Sequence, residues 1–313
     1  MSMFERFLAR TGLCFAACAL LATGAAGSPF ATLDSSARGT ALSGVMAALA
    51  EDADANLWNP AGLLGLAGRE ITAAHADLFG LDLVDHTTVQ FGWPIAEKQI
   101  TVEDGRITSS KLPPPAARSF GAYFSSLGAE SLTSTYRESF VGFSYAWRML
   151  AEAHAGASVR LLRASSGLDG IEASGYSATV GIQRTFGVFR LGAVAHDLVS
   201  NVDWDEGTDE SLPQRWNLGL AWKPCASWRA AVEGSWKTGA SAGALLGGAA
   251  EWDVVSMLSL RGGIRTRTDS QDQEMEYSAG AGVRWSGLRF DYAFVENGYE
   301  LGTTHRWSAS LGL

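Results

Sequence analysis

The 313 residues suit either two soluble domains or one large barrel, and a hydrophobic share of 47% with 36 glycines does not choose between them. Beyond the N-terminus no apolar run approaches the ~20 residues that a membrane-spanning helix requires, so the chain is either soluble or crosses a bilayer as strands. A formal net charge of −9 argues against nucleic-acid binding, which depends on clustered Lys and Arg.

Residues 1–27 have the layout of a secretory signal peptide. Arg6 and Arg10 precede an apolar core at residues 13–22, and small residues follow that core. We therefore expect export and cleavage near residues 26–28.

Cleavage at that point would leave Cys225 as the single cysteine, because Cys14 and Cys18 lie in the leader. No intrachain disulfide is then possible. The residues around Cys18 faintly match a lipoprotein site, but the apolar core continues beyond it, which disfavours lipidation. Loss of two arginines and one glutamate lowers the basic count from 24 to 22 and the acidic count from 33 to 32, so the mature net charge is −10.

Residues 28–68, here called the hatch, read neither as signal nor as strand. Within them Ser36 to Leu63 is the most structured part: its apolar residues follow helical spacing, and acidic residues close the apolar face. The chain then breaks at Asn59-Pro60, since proline disfavours the α region for the residue before it. The apolar residues in question are Ala41, Leu42, Val45, Met46 and Leu49. An ordinary N-terminal helix on a soluble core is the plain alternative.

A calcium loop is the sharper alternative for the hatch. Asp52, Asp54 and Asn56 copy the first three ligand positions of such a loop. However, Leu57 stands where glycine is needed and Leu63 where a bidentate glutamate is needed. The sequence therefore predicts no calcium site here.

From residue 69 to residue 313 the dominant period is two, which predicts strands. In one segment Trp216, Leu218, Leu220 and Trp222 form one row, opposed by a row of small and polar residues. We count about fourteen such segments, the even number expected of a bacterial barrel. They are residues 69–78, 84–93, 118–126, 137–148, 150–163, 171–185, 188–198, 213–223, 226–237, 244–253, 255–266, 275–285, 287–296 and 301–313.

The strands of a soluble β-sandwich alternate in the same way. The direction in which the apolar row faces must therefore distinguish a sandwich from a membrane barrel. Aromatic residues sit near both ends of their segments on the apolar row, as girdles at two bilayer interfaces would place them. Examples are Trp216 with Trp222, Trp228 with Trp236, and Tyr277 with Trp285. The fold prediction is therefore an all-β, transmembrane antiparallel β-barrel of about 14 strands, residues 69–313.

The connection at residues 94–117 departs from the pattern of short turns at one end and longer loops at the other. It contains an Asp104-Gly105 hairpin signal and a triple proline where a short turn belongs. We expect a small accessory hairpin here, the alternative being a strand register that is off by one.

Catalytic and metal motifs are missing from the sequence. No two of its five histidines stand at the i, i+4 spacing of a zinc helix, and no Gly-x-Ser-x-Gly elbow or phosphate loop occurs. An outer-membrane lipase with Ser and His on the barrel exterior remains a minor alternative. The sequence predicts a protein without enzymatic activity, metal or cofactor.

Inward-facing arginines are the remaining candidates for a site. They could bind an acidic head group, or pair with carboxylates such as Glu233 and Asp291, and the structural role is the more common one. The arginines are Arg160, Arg215, Arg229, Arg261, Arg284 and Arg306.

Several patches resemble the PorV/PorQ group of the FadL-type outer-membrane superfamily. They are ARGTALSG and ALAEDADANLWNPAGL in the hatch, then RWNLGLAW, SLRGGIR, DYAF and the terminal LGTTHRWSASLGL. The resemblance implies that the segment carrying Asp52 and the Asn59-Pro60-Ala61 motif enters the barrel lumen. The chain departs from the usual pattern by ending in Leu313 rather than an aromatic residue, which bears on engagement by the barrel assembly machinery.

The resemblance implies a barrel in the bacterial cell outer membrane, surrounded by outer-membrane lipid, with two candidate roles. The first is passage or binding of a hydrophobic small molecule. The second is docking or shuttling of an exported protein in a type IX-like secretion system. The sequence separates the two poorly.

Overall fold

A computed structural model describes most of residues 28–313. The predicted signal peptide, residues 1–27, lies outside the described residues. These are residue 30 and residues 35–80, 83–95, 100–103, 106–109, 117–130, 135–150, 152–167, 172–205, 207–238, 243–268, 275–296 and 302–313.

Strands dominate the described residues, and short helices occur only in the hatch. The helices are α1 (Ala37–Ala41), α2 (Ala55–Trp58) and the 3-10 helix η1 (Pro60–Gly65). The strands are β1 (Glu70–Asp77), β2 (Val84–Ile95), β3 (Ile100–Glu103), β4 (Arg106–Ser109), β5 (Arg118–Glu130), β6 (Thr135–Leu150), β7 (Ala153–Ser166), β8 (Glu172–Phe186), β9 (Phe189–Trp204), β10 (Thr208–Glu210), β11 (Arg215–Cys225), β12 (Trp228–Lys237), β13 (Leu245–Val255), β14 (Leu258–Arg267), β15 (Met275–Trp285), β16 (Leu288–Glu296) and β17 (Thr303–Gly312).

Fourteen of these strands close into an antiparallel barrel, which confirms the predicted fold. β1 pairs with both β2 and β17, and β8 pairs with β9, so the ring has no free edge. Among the described residues β3 and β4 pair with each other, with Glu103 opposite Arg106, which confirms the accessory hairpin. Its Asp104-Gly105 signal and the triple proline lie outside the described residues. β10 adds a short segment to the end of β9.

The two rows of each strand face as the sequence predicts. In β11 the side chain of Leu218 is 54% exposed, whereas Asn217 beside it is 9% exposed. Aromatic side chains of the outer row pair near one end of the barrel, where the rings of Trp228 and Trp252 stack with centroids 5.4 Å apart. An apolar exterior around a polar interior is that of a membrane barrel, so the sandwich alternative is wrong.

None of the helices that the structure describes is long and apolar enough to span a membrane.

The barrel wall has unequal height. β6 and β9 each have 16 residues, whereas β12 and β14 have 10 and β16 has 9. Tight turns such as residues 187–188 and 286–287 lie at one end, here called the short-turn end. The longer strands therefore raise one side of the wall at the opposite end, here called the long-loop end.

The hatch fills the lumen but is not the single amphipathic helix that apolar spacing predicts. α1 ends after Ala41, and Ser43 and Gly44 take left-handed backbone angles with φ of 50° and 72°. Residues 35–50 are all buried, because the wall surrounds them on every side. A segment that is enclosed on every side gains nothing from presenting one polar and one apolar face. The amphipathic pattern therefore does not hold residues 35–50 in a single helix.

The predicted break at Asn59-Pro60 is confirmed. Asn59 is extended, with φ of −158°, and η1 begins at Pro60. The Asn59 side-chain oxygen accepts from the amide of Ala61 at 3.2 Å and so caps that helix.

Glycines on the inner row let the hatch backbone approach the wall. A Cβ atom on Gly192 would overlap the carbonyl group of Ala47, and one on Gly156 would overlap the backbone between Pro60 and Ala61. Only glycine permits this approach. The set, here called the glycine belt, comprises Gly92, Gly121, Gly156, Gly181, Gly192, Gly219, Gly247, Gly263 and Gly280.

The facing of the outer row gives a stability prediction. Leu220→Arg places a charge on the lipid side of β11 and should lower the free energy of unfolding in a bilayer by about 2 to 4 kcal/mol. Leu220→Phe, the apolar control, should change it by less than about 1.5 kcal/mol. Denaturant unfolding from phosphatidylcholine vesicles measures both; equal stability of the two variants would contradict an outward Leu220.

Candidate functional site

A buried cluster of charges joins the hatch to the wall at the short-turn end of the lumen. Its centre is Glu251 on β13, which is 1% exposed. Glu251 accepts hydrogen bonds from Arg38 of the hatch at 3.0 Å, Arg229 at 2.6 Å and Arg261 at 2.7 Å. One carboxylate thus holds three guanidinium groups from three separate parts of the chain.

Hatch carboxylates extend this cluster. Asp52 accepts from Arg38 at 3.2 Å and from Arg289 at 3.1 Å. Glu51 accepts from Arg190 at 3.1 Å. Burial opposes the charged form of Asp52, but the charges of Arg38 and Arg289 outweigh it and lower the pKa of this carboxyl.

The rest of the charge cluster lies on the wall. Asp291 pairs with Arg261 at 2.6 Å and with Arg289 at 3.0 Å. Asp253 pairs with Arg284 at 3.3 Å. Every charged group in the cluster therefore has an opposite partner, as burial requires.

The predicted lumen residues divide between two regions. Arg229, Arg261, Arg284 and Asp291 lie in the charge cluster, together with Asp52 of the hatch. Glu233 instead accepts from the hatch amide of Ala47 and from Asn217, each at 2.7 Å. Arg160, Arg215 and Arg306 lie nearer the long-loop end, where Arg160 pairs with Asp197 at 2.5 Å and Arg306 contacts His86 at 3.1 Å.

Sequence reasoning missed four central members of the charge cluster. Arg38 and Glu51 lie in the hatch, where no period marks an inward side chain. Glu251 and Arg289 lie on the inward rows of their strands, so the period-two alternation could have identified both as lumen residues.

Asn59 ties the hatch to the wall without charge. Its side-chain nitrogen donates to the carbonyl of Ala47 at 2.7 Å and to that of Ile182 on β8 at 3.2 Å. Together with the cap on Ala61, this satisfies the whole amide group. The Asn59-Pro60-Ala61 motif thus fixes the hatch against β8.

The residues that imitate a calcium loop have other partners. Asp52 holds two arginines, and the Asn56 amide nitrogen donates to the carbonyl groups of Ala53 and Phe91. Across the described ranges no group of three His, Cys, Asp or Glu side chains could hold a metal ion.

Asp54 is a fully buried acid of the hatch. It accepts from the side-chain nitrogen of Gln90 on β2 at 2.8 Å. Burial, reinforced by the charge of Asp52, raises the pKa of Asp54 to about 7. Below about pH 7 Asp54 is therefore mainly protonated in the seated hatch.

The long-loop half of the lumen contains an apolar cluster. Phe30, which is 1% exposed, lies within it and donates its amide to Glu138 at 2.8 Å. The apolar cluster consists of Phe30, Leu57, Tyr123, Phe140, Leu162, Ala164, Ala173, Val202 and Leu212, with Trp204 packed against it.

The wall beside the apolar cluster contains a seam where the strand ladder stops. β9 pairs with β11 only as far as His196 opposite Arg215. The next residue, Asp197, has φ of 56°, and the register between β8 and β9 shifts there. The seam consists of residues 197–200 and 211–214.

Side chains, not a backbone ladder, close the seam. The amide of Leu212 donates to the hydroxyl of Ser200 at 2.9 Å, and the Gln214 side chain donates to the carbonyl of Leu198 at 3.0 Å. Pro213 has no amide hydrogen to offer. The seam is therefore held by fewer and weaker restraints than a paired strand.

Comparisons with known proteins establish the fold class. No family model matches the chain, and no curated protein matches it. The chain is similar to the Ralstonia pickettii toluene transporter TbuX, at 12% identity over 89% of this chain and 97% of that one, with a TM-score of 0.61. It is also similar to a Pseudomonas aeruginosa FadL homologue (12% identity, 91% and 100% covered, TM-score 0.63) and to the Pseudomonas putida toluene transporter TodX (12%, 90% and 99%, TM-score 0.63).

At this level of identity the likeness defines a FadL-type barrel fold. Membership of the PorV/PorQ group has no support from these comparisons and stays a prediction.

The centre of the charge cluster gives the second prediction. Glu251→Gln leaves three guanidinium groups without their shared carboxylate and should lower the free energy of unfolding by about 3 to 5 kcal/mol. Glu172→Gln is the control, because its pair with Arg163 is exposed and is expected to contribute about 0 to 1 kcal/mol. Urea titration followed by tryptophan fluorescence compares them; a loss for Glu251→Gln no larger than the control would refute the central role.

Asp54 gives a prediction on pH. Its pKa rises from an ordinary 3.8 to about 7 in the seated hatch, so seating binds a proton. The stability of the seated hatch should therefore fall as pH rises from about 4 to about 7 and change no further above that window. Asp54→Asn should remove this dependence. Amide hydrogen exchange of residues 36–63 measures it, and a parallel slope in wild type and variant would count against Asp54.

Proposed function

We propose that this chain is a bacterial outer-membrane barrel that passes a hydrophobic solute from its long-loop end sideways into the bilayer. The observation that carries the proposal is the position of the apolar cluster directly behind the seam. Leu212 belongs to both: its side chain lies in the apolar cluster, and its amide bonds Ser200 across the seam. An apolar binding region and a weakly closed wall thus meet at one residue.

The charge cluster supports a sideways route. An apolar solute moving along the barrel axis would have to displace Asp52, Glu251 and the arginines that they hold. Separating buried charges without replacing their partners is strongly unfavourable. The axial path is therefore closed to such a solute while the hatch is seated.

The outer surface next to the seam suits release into lipid. Val199 at the seam is 57% exposed, and Tyr176 on the adjoining β8 is 47% exposed. Apolar solutes favour lipid over water by about 25 cal/mol per Å² of apolar surface. Once past the seam, a solute would move into the bilayer without crossing water.

The similar structures support the substrate class. TbuX and TodX are described as toluene transporters, and CymD as a monoaromatic hydrocarbon channel. We infer by analogy a transport protein rather than an enzyme, embedded in outer-membrane lipid and inserted there by the barrel assembly machinery. Docking of an exported protein by a PorV/PorQ-type chain stays the alternative from the sequence.

Cross-linking the seam tests the proposal. In a Cys225→Ser background, Ser200→Cys with Leu212→Cys should form a disulfide that locks the seam. Toluene uptake by cells expressing this variant should fall to the level of cells without the protein, and a reducing agent should restore it.

The matched control is Asn217→Cys with Ser235→Cys, a directly opposed pair on the intact ladder between β11 and β12. Its oxidation should leave uptake unchanged. Full uptake through the locked seam would refute the sideways route.

A further inference from the structure

A groove of about 470 Å³ lies on the outer face of the barrel, near the long-loop ends of β5 to β8. This volume falls within the range of small-molecule sites, about 300 to 1,000 Å³. Phe124, Val141 and Leu161 line it with apolar surface, here called the apolar wall, and their side chains are 42%, 42% and 58% exposed. The groove therefore opens on the bilayer and not on the lumen.

The outward side chains of the groove lie at three levels. The apolar wall is the deepest in the bilayer, because its three residues face one another across β5, β6 and β7. Two residues nearer the long-loop end, about 7 Å along the strand, Arg163 lies between Ser139 of β6 and Ser174 of β8. One level further out, Ser165 faces Glu172. Apolar surface thus gives way to hydroxyl and guanidinium donors, and these give way to a carboxylate.

The charged groups of the groove are exposed and lie side by side. Arg163 donates to Glu172 at 3.0 Å, and the two side chains are 69% and 52% exposed. Asp205 also lines the groove, and its amide donates to the carbonyl of Glu172 at 3.1 Å. Exposed ion pairs contribute little to stability, because water competes for both members. A ligand that offers a better partner to each member can therefore separate this pair at small cost.

We propose that this groove binds a glycerophospholipid with an ethanolamine head group. One acyl chain lies along the apolar wall. The phosphate accepts from Arg163 and from the hydroxyls of Ser139 and Ser174, and the ammonium donates to Glu172 beside Asp205. Each of the charged contacts is a charge-assisted hydrogen bond, the stronger kind. The inference goes beyond the proposed function and does not rest on it, since the groove lies on the outer wall and not on the route of the solute.

The order of the three levels selects this head group over other common ones. Phosphatidylglycerol carries the phosphate but no cation, so its head group leaves Glu172 and Asp205 without a positive partner. Phosphatidylcholine carries both charges, but its quaternary nitrogen has no hydrogen to donate to a carboxylate. Phosphatidylethanolamine supplies an anion at the level of Arg163 and a hydrogen-bonding cation at the level of Glu172.

Native mass spectrometry of the full mature chain, released from detergent micelles, tests the proposal with dioleoyl forms of the three lipids. Phosphatidylethanolamine should bind about fivefold more tightly than either of the others. Arg163→Gln should weaken the binding of all three about fivefold, because each carries the phosphate. Glu172→Gln should abolish the preference for phosphatidylethanolamine and leave phosphatidylglycerol binding at least as tight as before.

The matched control is Glu152→Gln, which removes an exposed acid at the short-turn end and should change the binding of none of the lipids. Both groove variants should fold, since the pair that they break is exposed, and far-UV circular dichroism verifies this. Equal binding of the three lipids by the unmodified chain would mean a non-selective lipid shell and would overturn the site. A preference for phosphatidylethanolamine that survives in Glu172→Gln, or is lost equally in Glu152→Gln, would overturn the placement of the ammonium.

Discussion

The ionic contact between Arg38 and Glu251 is the interaction on which the interior depends. It joins the hatch to the wall across 213 positions of sequence, and Glu251 at the same time holds Arg229 and Arg261. Buried charges are tolerated only when each has a partner, so the groups of this cluster require one another. Arg38 of the hatch supplies a positive partner for Glu251 of the wall. Arg289 of the wall supplies a positive partner for Asp52 of the hatch. Neither could be buried alone in this form.

The lumen has two halves with different physical character. The short-turn half is filled by the hatch and by paired buried charges. The long-loop half contains the apolar cluster and the ion pair of Arg160 with Asp197, around the residues where β9 leaves β11. Asp197 lies at the junction: its backbone ends the ladder, and its carboxylate accepts from Arg160 and Ser177. The position where the wall weakens is also the position where charge and apolar surface meet.

The hatch takes its shape from the wall. Its helices are of four to six residues, too short to be stable by themselves in water. The glycine belt brings wall and hatch backbones together, and Asn59 donates across that contact to the carbonyl of Ile182. Asp54, which has no positive partner in its own segment, is held by Gln90 of β2. The hatch is therefore better described as an inner part of the barrel than as a domain placed inside it.

The sequence by itself determined the strands, their number and their two faces. Period-two alternation is a local property of extended chain, and rows such as Trp216 to Trp222 carry it without reference to any partner. The break at Asn59-Pro60 and the pairing of β3 with β4 could likewise be predicted from local backbone chemistry. Tertiary structure alone decided that the helix after Ser36 stops at Ala41, that Glu233 bonds the hatch amide of Ala47, and that Arg229 meets Glu251. These contacts depend on which residues lie at the same position along the barrel axis, on the wall and on the buried hatch. That position follows from the strand register and from closure of the barrel, and no local sequence pattern encodes either.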